Sequence, residues 1–548
     1  MEAVLPKSIN YLDTLPKAVP SERKRRNFFA ANVTQYRRGQ TIIIEVQDSR
    51  CFLDTQNSFL RFTLENQDAA GNFSPEFGGG YAMIENFRVQ QSGNTIMNIQ
   101  NYSRLYNGII GPVTGGRNWR SATSVYQNGN YGVQTTAGGA TINVPGPPGE
   151  TNGGMITGTN CTSLANPTVG PLENADFCVP LFGGLFSQDK LIPLPLLNQP
   201  IQLIFDLNNA VDFGVYDFAV TNADMLISNV RYCAEMVDVP RDVLGFLRQT
   251  QQAHGGSLVV AASSYEYQRS NLEAGATGTQ ILEIPSRKKS IKSIQFVAMA
   301  GVDSMGQFAT AGGSGLAAKD VFNQSTSANP CLVSYQLRAG SMVIPPTAIQ
   351  GPGGRNIALA GPALAVRAGS VPVPADANGI GGLPNNDAQK GESAFELSKA
   401  YGHLGSTIGM GACSRLTYAN PKNVASGTFE IGTNWIVGQG QAGPGNDIIG
   451  QPTGQVPAAL GDQWRFCPFA IDLEAYQNEA LNSGIDTKSL SLQMQLHLEI
   501  DNTLSIADTA AGGIAAAGGQ SSPINFDIYS YHDILYYFNS DGSITFSD

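Results

Sequence analysis

Apolar and polar residues alternate along many short segments of this chain, the pattern of β-strands with one buried face. In LQMQLHLEI, residues 492–500, every second residue is apolar, and His497 falls on the opposite, polar face. IQLIFDL, residues 201–207, alternates in the same way with Asp206 on its polar face. We therefore predict that His497 lies on the solvent-facing or interfacial side of a strand and has no chemical role.

Similar strand patterns, rich in β-branched and aromatic residues, recur along the whole chain. They are TIIIEVQ, FLRFTLE, MIENFRVQ, IQLIFDLNN, MLISNVRYCAEMV, SLVVAASSYEYQ, QILEI, SIKSIQFVAM, CLVSYQLRAG, TFEIGTNWIV, LQMQLHLEI and INFDIYSYHDILYYF. Helical periodicity is limited to RDVLGFLRQT (241–250) and LEAYQNEAL (473–481), and FGGLF near Phe182 predicts a turn. The pattern predicts an all-β protein with few short helices.

The pattern of strands occurs twice along the sequence. Ile44-Glu45-Val46 followed by Ser49-Arg50 is echoed by Leu282-Glu283-Ile284 followed by Ser286-Arg287, and FLRFTL is answered by IKSIQFV. Near the end of each copy, IQLIFDLNN is echoed by LQMQLHLEIDN, and NVRYCAEMV by IYSYHDILYYF. The order of the echoes predicts two copies of one fold.

A unit of some eight strands with long loops is typical of a jelly roll, in which two antiparallel sheets enclose one core. We therefore predict two tandem eight-stranded jelly-roll β-sandwiches. The predicted divisions are an N-terminal basic arm (1–30), a first jelly roll (31–240) with insertion loops at 107–176, a linker with a short helix (241–256), and a second jelly roll (257–548) with larger insertion loops at 303–460.

The composition supports strands and loops, since only 14% of residues are charged and there are 62 glycines and 30 prolines. The net charge of −11 argues against a protein that mainly coats nucleic acid.

The seven cysteines form no CxxC and are odd in number, which favours reduced thiols over a disulfide framework. An apolar signal core and a run of about 18 apolar residues are both missing from the sequence, so we expect a cytosolic or nuclear protein at synthesis.

The positive charge is concentrated in residues 1–40, which hold eight basic residues against three acidic ones. Its centre is SERKRR, with Arg23, Lys24, Arg25 and Arg26 placed before the first predicted strand. Most short charge runs are solvated arms that only keep a terminus soluble. The alternative is an assembly arm whose bases contact phosphate groups or acidic partner segments.

The sequence gives no sign of an active site. His254, His403, His497 and His532 are far apart and lack ligand spacing, which predicts neither a metal nor another cofactor. GQGQAG, residues 438–443, matches the dinucleotide fingerprint, but PGNDIIGQPTGQ follows it and would break the required helix. Nucleophile and P-loop motifs are absent from the sequence as well. We predict that the protein is not an enzyme.

Four stretches resemble a known family: VTQYRRGQTIIIEV with FLDTQNSFLRFTLEN, KLIPLPLLNQPIQLIFDLNN, and LEIPSRKKSIKSIQFV. They are similar to the double jelly-roll major capsid proteins of eukaryotic double-stranded DNA viruses, closest to those of polinton-like viruses, adintoviruses and virophages. The resemblance extends from about Tyr36 to Phe538, and its motifs are structural rather than catalytic.

The resemblance implies a homotrimeric, pseudo-hexameric capsomer that tiles an icosahedral shell, with virion localisation and assembly in the host cytoplasm or nucleus. Implied partners are neighbouring capsomers and penton and minor or cement capsid proteins. The resemblance also implies outer loops that face the host surface and an N-terminal arm at the inner face, so Arg23, Lys24, Arg25 and Arg26 are expected to contact the genome or an internal membrane.

Two alternatives are other β proteins. A secreted or surface tandem β-sandwich adhesin or carbohydrate-binding protein would also be strand-rich, but it would need an export signal. A single jelly-roll capsid protein with a projection domain conflicts with the matched ends of the two copies. The loops at 107–176 and 303–460 hold too few apolar residues to order themselves alone, so we expect trimer interfaces of about 2,000 Å² or more.

Overall fold

The computed structural model describes most strands and their short connections. The described residues are 21–67, 73–75, 78–114, 133–135, 141–143, 174–208, 214–216, 225–253, 255–273, 276, 278–300, 332–351, 384–401, 468–475, 483–488, 493–500 and 524–548. The predicted strand TFEIGTNWIV, the loop GQGQAG, His254 and His403 lie outside these residues, as does most of the predicted helix LEAYQNEAL.

The first half of the chain contains thirteen described strands. They are β1 (Glu22–Phe29), β2 (Gln35–Tyr36), β3 (Thr41–Val46), β4 (Cys51–Asn66), β5 (Phe73–Pro75), β6 (Ile84–Gln91), β7 (Asn94–Ile99), β8 (Val133–Thr135), β9 (Thr141–Asn143), β10 (Asn174–Pro180), β11 (Ile201–Leu207), β12 (Gly214–Tyr216) and β13 (Met225–Asp238).

The second half contains nine described strands. They are β14 (Ser257–Leu272), β15 (Gly278–Ile284), β16 (Ile291–Ala300), β17 (Leu332–Ala339), β18 (Met342–Gln350), β19 (Pro468–Asp472), β20 (Met494–Ile500), β21 (Ile524–Asn539) and β22 (Ile544–Ser547).

The described helices are short or peripheral. They are α1 (Tyr102–Leu105), α2 (Gly111–Thr114), which follows a π-helical turn at Tyr106–Ile110, α3 (Arg241–Ala253) and α4 (Pro384–Ala400), with 3₁₀ turns at Gly79–Met83, Gly184–Phe186 and Leu194–Leu196. The predicted helix at 241–250 is thus confirmed as α3, and the turn near Phe182 is confirmed at Gly184–Phe186. In the described part of the chain, no helix is both long and apolar enough to span a membrane.

Each half forms a sandwich of a five-stranded and a four-stranded sheet, in which the fifth strand, β2 or β22, pairs with β13 or β21. The strand order is β1-β13-β4-β10 and β3-β11-β6-β7 in the first sandwich, and β14-β21-β16-β19 and β15-β20-β17-β18 in the second. The strand pairings are antiparallel, and each of these eight strands in one sandwich has a counterpart in the same place in the other. The predicted fold, two tandem jelly rolls in an all-β chain, is confirmed.

The register shows why the sequence echoes were informative. Val46 of β3 pairs with Ile201 of β11, and Ile284 of β15 pairs with Met494 of β20. Ile201 therefore matches Met494, two residues beyond the match seen in the sequence. A shift of two keeps every side chain on its face, so the prediction of buried and polar faces was unaffected. β20 accordingly buries every second residue and leaves His497 half-buried.

The structure corrects two details of the sequence prediction. SERKRR does not precede the first strand, because Glu22–Phe29 is itself β1 and pairs with β13 along its whole length. The predicted insertion at 303–460 was also too broad, since β17 and β18 fall inside it and form part of the second sandwich. Two separate connections, 301–331 and 351–467, replace the single insertion.

The longest connections leave both sandwiches at one end. In the first they follow Asn66 and precede Asn174 and Met225, residues that lie together because Asn174 pairs with Glu65 and Met225 with Asn66. In the second they follow Ala300, which lies at the same end as Ile524. The opposite end holds α3 and the connections that follow β3, β6, β10 and β19, and we call it the base. Because Arg104 meets Asp527 near one end and Gln91 meets Ile544 at the base, the two sandwiches stand side by side in the same orientation.

Candidate assembly surfaces

The basic residues predicted as a contact site lie in β1, in the half of the strand nearer the base. Arg23 and Arg25 contact Asp54 and Glu235, with Arg25 Nε 2.6 Å from Glu235 Oε1. Arg25 also lies 5.5 Å from the ring centroid of Phe59, a cation–π distance. All side chains on this strand are at least partly exposed, and β1 forms the edge of its sheet.

Lys24 and Arg26, the other two basic residues of β1, contact different carboxylates. Lys24 Nζ lies 2.7 Å from Glu22 and 3.4 Å from Asp238, and Arg26 contacts Asp48. The bases are about half exposed, whereas Asp48 retains only 8% of its side-chain exposure. Each base of the predicted site therefore already has an acidic neighbour in the same chain.

Asp48 is held in its charged form by this arrangement. Burial alone would raise its pKa, but backbone N–H groups of Arg50 and Cys51, at 2.7 and 2.9 Å, and the charge of Arg26 outweigh that effect. The pKa of Asp48 is therefore below its ordinary value. The contact anchors β1 to the loop between β3 and β4.

A second polar cluster joins the two sandwiches. Asp527 of β21 is fully buried, and its carboxylate accepts hydrogen bonds from Tyr267 Oη and Arg269 Nε, both at 2.8 Å. Arg104 of α1, 1% exposed, brings its Nε to 3.7 Å from the same carboxylate. Burial would lower the pKa of Arg269, but the Asp527 charge outweighs it and the pKa is raised. The cluster contains the only inter-sandwich ion pair identified among the described residues.

Aromatic and backbone contacts extend this junction. Tyr529 Oη donates to the carbonyl oxygen of Asn101 at 3.0 Å, and the rings of Phe182 and Tyr265 meet edge to face at 6.4 Å. At the base, the Gln91 side chain accepts from Ile544 N at 2.7 Å and donates to Gly542 O at 3.0 Å. Apolar residues of β14 and β21 also belong to the core cluster of the first sandwich. The junction is therefore packed like a protein interior and is not a hinge.

Gly542 offers a direct test of how closely the sandwiches fit. It has a φ of +81°, and a Cβ there would lie 2.6 Å from the backbone nitrogen of Asn198. Gly93, in the β6–β7 turn, has a φ of +80° but open space around it. Each Gly→Ala change is expected to lower the free energy of unfolding by roughly 1–2 kcal/mol, because alanine disfavours the left-handed backbone conformation. We expect Gly542→Ala to lower the free energy of unfolding by about 1–3 kcal/mol more than Gly93→Ala, because of overpacking.

Urea denaturation of both variants at one protein concentration checks this prediction. Gly93→Ala is the matched control, since its backbone angle is the same and only the neighbouring atoms differ. Equal losses of unfolding free energy for the two variants would mean that the structure around Gly542 adjusts to the added methyl group at no cost in stability.

The residues considered for chemistry remain apart. His497 lies on the polar face of β20, and its pKa is lowered by partial burial and by the charge of Arg338, so its predicted position is confirmed. His532 is buried in β21, where its Nδ1 is 3.1 Å from the carbonyl oxygen of Ser530. Within the described ranges, no group of three or more His, Cys, Asp or Glu side chains could hold a metal ion.

Three of the seven cysteines lie in the described part of the chain. Cys51, Cys178 and Cys233 are free thiols, and burial is the first cause of the raised pKa of each. Thiols with raised pKa values are poor nucleophiles and poor candidates for disulfide exchange. Cys161, Cys331, Cys413 and Cys467 lie outside the described residues.

Sequence reasoning missed the cluster around Asp527. One signal was available: Asp527 falls within the apolar strand pattern INFDIYSYHDILYYF, and a buried carboxylate requires a partner. The partner could not be named, because Arg104 lies more than 400 residues away in a segment without a strand or helix pattern. Two arginines and a tyrosine converge on Asp527 only once the sandwiches are packed together.

Comparison with solved structures identifies the fold. The chain matches PBCV-1 VP54, as fitted into a reconstruction of the virophage Sputnik, with a TM-score of 0.53, 9% identity and 98% of each chain covered. It matches a quasi-atomic model of the PBCV-1 virus capsid with a TM-score of 0.51, 10% identity and 98% of each chain covered. The major capsid protein of mavirus gives a TM-score of 0.44, with 10% identity over 99% of this chain and 93% of that one.

Sequence comparison adds no assignment, since no protein-family model and no curated protein matches the chain. The first two structural likenesses cover nearly all of both chains and show a shared double jelly-roll fold. The fold implied by the sequence resemblance is therefore confirmed.

Proposed function

We propose that this chain is a major capsid protein that forms a homotrimeric, pseudo-hexameric capsomer of an icosahedral double-stranded DNA virus shell. The observation that carries the proposal is the arrangement of two sandwiches with one topology, side by side and in one orientation. The double jelly-roll likeness to the PBCV-1 structures supports the same role.

The duplication gives a physical reason for a trimer. Three chains, each with two similar but unequal sandwiches, supply six similar units for a six-sided tile. The strand ends that border the longest connections lie at one end of each sandwich, away from the base. The role needs no turnover and no cofactor, so we expect no enzymatic activity.

We retain the proposed division at residues 240 and 257, since α3 connects β13 to β14 between those positions. β1 belongs with the first jelly roll, which leaves the residues before it as the N-terminal arm. The proposed location is the virion shell. Proposed partners are neighbouring capsomers together with penton and minor capsid proteins.

An assembly role for Arg23, Lys24, Arg25 and Arg26 also stays a proposal. Their position toward the base, away from the long connections, is compatible with the inner face of a shell. Their acidic neighbours reduce the long-range attraction that β1 exerts on phosphate. We therefore favour contact with protein over contact with DNA or lipid for these four residues.

Light scattering coupled to size-exclusion chromatography tests the proposed oligomer. The purified chain should elute at micromolar concentration with three times the 58.1 kDa mass of one chain. Negative-stain images should show six-lobed particles with threefold symmetry. A monodisperse monomer over the whole concentration range would contradict the capsomer proposal.

A further inference from the structure

A lysine and two carboxylates converge inside the second sandwich. Lys292 Nζ lies 3.0 Å from Asp533 Oδ1 and 3.8 Å from Glu474 Oε1. The three side chains are only 11%, 5% and 18% exposed, respectively. They come from distant parts of the sequence, since Lys292 lies on β16, Asp533 on β21 and Glu474 two residues after β19. The fold thus brings an amine and two carboxylates together where little water reaches them.

A β-bulge places the lysine beside the neighbouring strand. Ile291 of β16 pairs with His532 of β21, and Ser293 pairs with Tyr531, so Lys292 is the extra residue at this point. A bulge redirects the side chain of the extra residue away from the regular alternation of the strand. The Lys292 ammonium also lies 5.9 Å from the centroid of the Tyr531 ring. The amine is therefore held against β21, next to the carboxylate that follows His532.

Hydrogen bonds hold both carboxylates in place. Ser290 Oγ donates to Asp533 Oδ2 at 2.7 Å, so the other oxygen of that carboxylate is the one that meets Lys292. Ser483 Oγ donates to Glu474 Oε1 at 2.7 Å, and this is the oxygen nearest Lys292 Nζ. Each carboxylate thus has a serine that fixes its orientation toward the amine.

This arrangement favours a reaction between the amine and the carboxyl group of Asp533. Burial disfavours the ammonium and the carboxylate relative to the neutral amine and the neutral acid, which are the forms that react. Amide formation is unfavourable between free molecules in water. Groups held in contact react as if at effective concentrations of about 10⁵–10⁸ M, which offsets that cost. A second carboxylate beside the nitrogen supplies the required proton carrier.

We propose that Lys292 and Asp533 form an intramolecular isopeptide bond, with Glu474 as the proton carrier. Glu474 takes one proton from the ammonium and passes it to the Asp533 carboxylate, which gives a neutral amine and a neutral acid. The amine attacks Asp533 Cγ, and Glu474 carries a second proton from the nitrogen to the leaving hydroxyl group. The C–N bond forms, the C–O bond breaks and one water molecule leaves, without any oxidant or reductant.

The step is a self-modification, because each chain reacts once and Glu474 ends in its starting form. The bond joins β16 to β21 and closes a loop that contains the connections 301–331 and 351–467. A covalent link that closes a long loop restricts the unfolded chain and so stabilises the folded one. The second sandwich, which carries these two long connections, would gain a permanent tie across its sheet.

Lys288 provides a matched control in the same sandwich. Its Nζ contacts the carboxylate of Asp548 and lies 3.9 Å from Glu266, which is the same combination of groups. Glu266 is 43% exposed, however, and Lys488 Nζ lies 3.2 Å from the Asp548 carboxylate. Water and the second base stabilise the charged forms there. We therefore expect the Lys288–Asp548 contact to remain an ion pair.

Mass spectrometry of the denatured full-length chain tests the proposal. After prolonged incubation of the folded protein, the wild type should be lighter than its sequence mass by one water molecule. Lys292→Arg and Glu474→Gln should each keep the full sequence mass, and Lys288→Arg should lose one water molecule like the wild type. Trypsin should not cleave the wild type after Lys292, and the digest should contain a branched peptide that joins Lys292 to Asp533.

The wild-type digest decides the proposal even if a variant fails to fold, which circular dichroism would reveal. A wild-type chain of full sequence mass, with an unmodified peptide ending at Lys292, overturns the isopeptide bond and leaves a buried ion pair. Loss of water from folded Lys292→Arg also overturns it, because the lost water would then come from another site. Loss of water from Glu474→Gln at the wild-type rate overturns the role of Glu474. The capsomer proposal does not depend on any of these outcomes.

Discussion

Replacing Asp527 with alanine is expected to lower the free energy of unfolding by about 3–5 kcal/mol, the usual cost of breaking a buried ion pair. The carboxylate is fully buried and is contacted by Arg104, Arg269 and Tyr267. Its loss removes a neutralising charge from beside Arg104, which is itself only 1% exposed. Urea denaturation at constant protein concentration measures the change, since assembly would otherwise alter the apparent stability.

Arg269→Ala is the matched control for this prediction. Arg269 donates to the same carboxylate at 2.8 Å, but 48% of its side chain is exposed. Solvent compensates for much of such a contact, so we expect a loss of about 1 kcal/mol or less. If Asp527→Ala and Arg269→Ala cost the same, burial of the Arg104–Asp527 pair is not what makes the cluster important.

The sheet architecture could be predicted because most strands carry their own signal. Thr41–Val46 and Met494–Ile500 bury alternate residues, and that alternation is visible in the sequence without any partner. The duplication then doubled the evidence, since an ambiguous strand in one copy had an echo in the other. Main-chain pairing followed these echoes to within two residues.

β1 escaped prediction for the opposite reason. ERKRRNFF has no alternation of apolar and polar residues, because it is an edge strand exposed on both faces for most of its length. It is held by pairing with β13 and by carboxylates of β4 and β13, which are distant in sequence. The repeat offered one signal for β1. The second copy begins with β14, so without a counterpart to β14 the first copy would be one strand short.

The contact surfaces of the two sandwiches could not be predicted from the sequence. Equivalent positions in the two sandwiches differ in burial, because only one of them is covered by the neighbouring sandwich. Met97 pairs with Val89 as Ile344 pairs with Leu337 in the equivalent hairpin, yet Met97 is buried and Ile344 is only half-buried. The difference arises from the packing of one sandwich against the other, and the sequence repeat alone does not say which sides meet.

Core residues at equivalent positions allow a second large effect to be predicted. Phe87 of β6 and Tyr335 of β17 are each four residues before the end of their strands, and both are buried. The Phe87 ring stacks on Phe205 at 4.8 Å, and the Tyr335 ring meets Phe296 edge to face at 5.5 Å. Each position therefore anchors the centre of its own core.

We expect Phe87→Ala and Tyr335→Ala each to cost about 3–5 kcal/mol, from lost burial and from the cavity left behind. Phe246→Ala, at a residue 66% exposed on α3, should change the stability by no more than about 0.5 kcal/mol. Urea denaturation of the three variants compares them directly. A loss at Phe87 or Tyr335 as small as that at Phe246 would mean that the core repacks around the missing ring.

The milder pair Phe87→Leu and Tyr335→Leu tests whether the two cores are independent. The two residues belong to separate core clusters and share no aromatic neighbour among the described ring contacts. Substitutions without shared partners are additive to within about 0.5 kcal/mol, so the double variant should lose the sum of the single losses. A larger interaction energy would show that strain in one sandwich reaches the other. Such coupling would pass through the buried junction around Asp527. Adding Asp527→Ala to the Leu pair should then abolish the interaction energy between the two Leu substitutions.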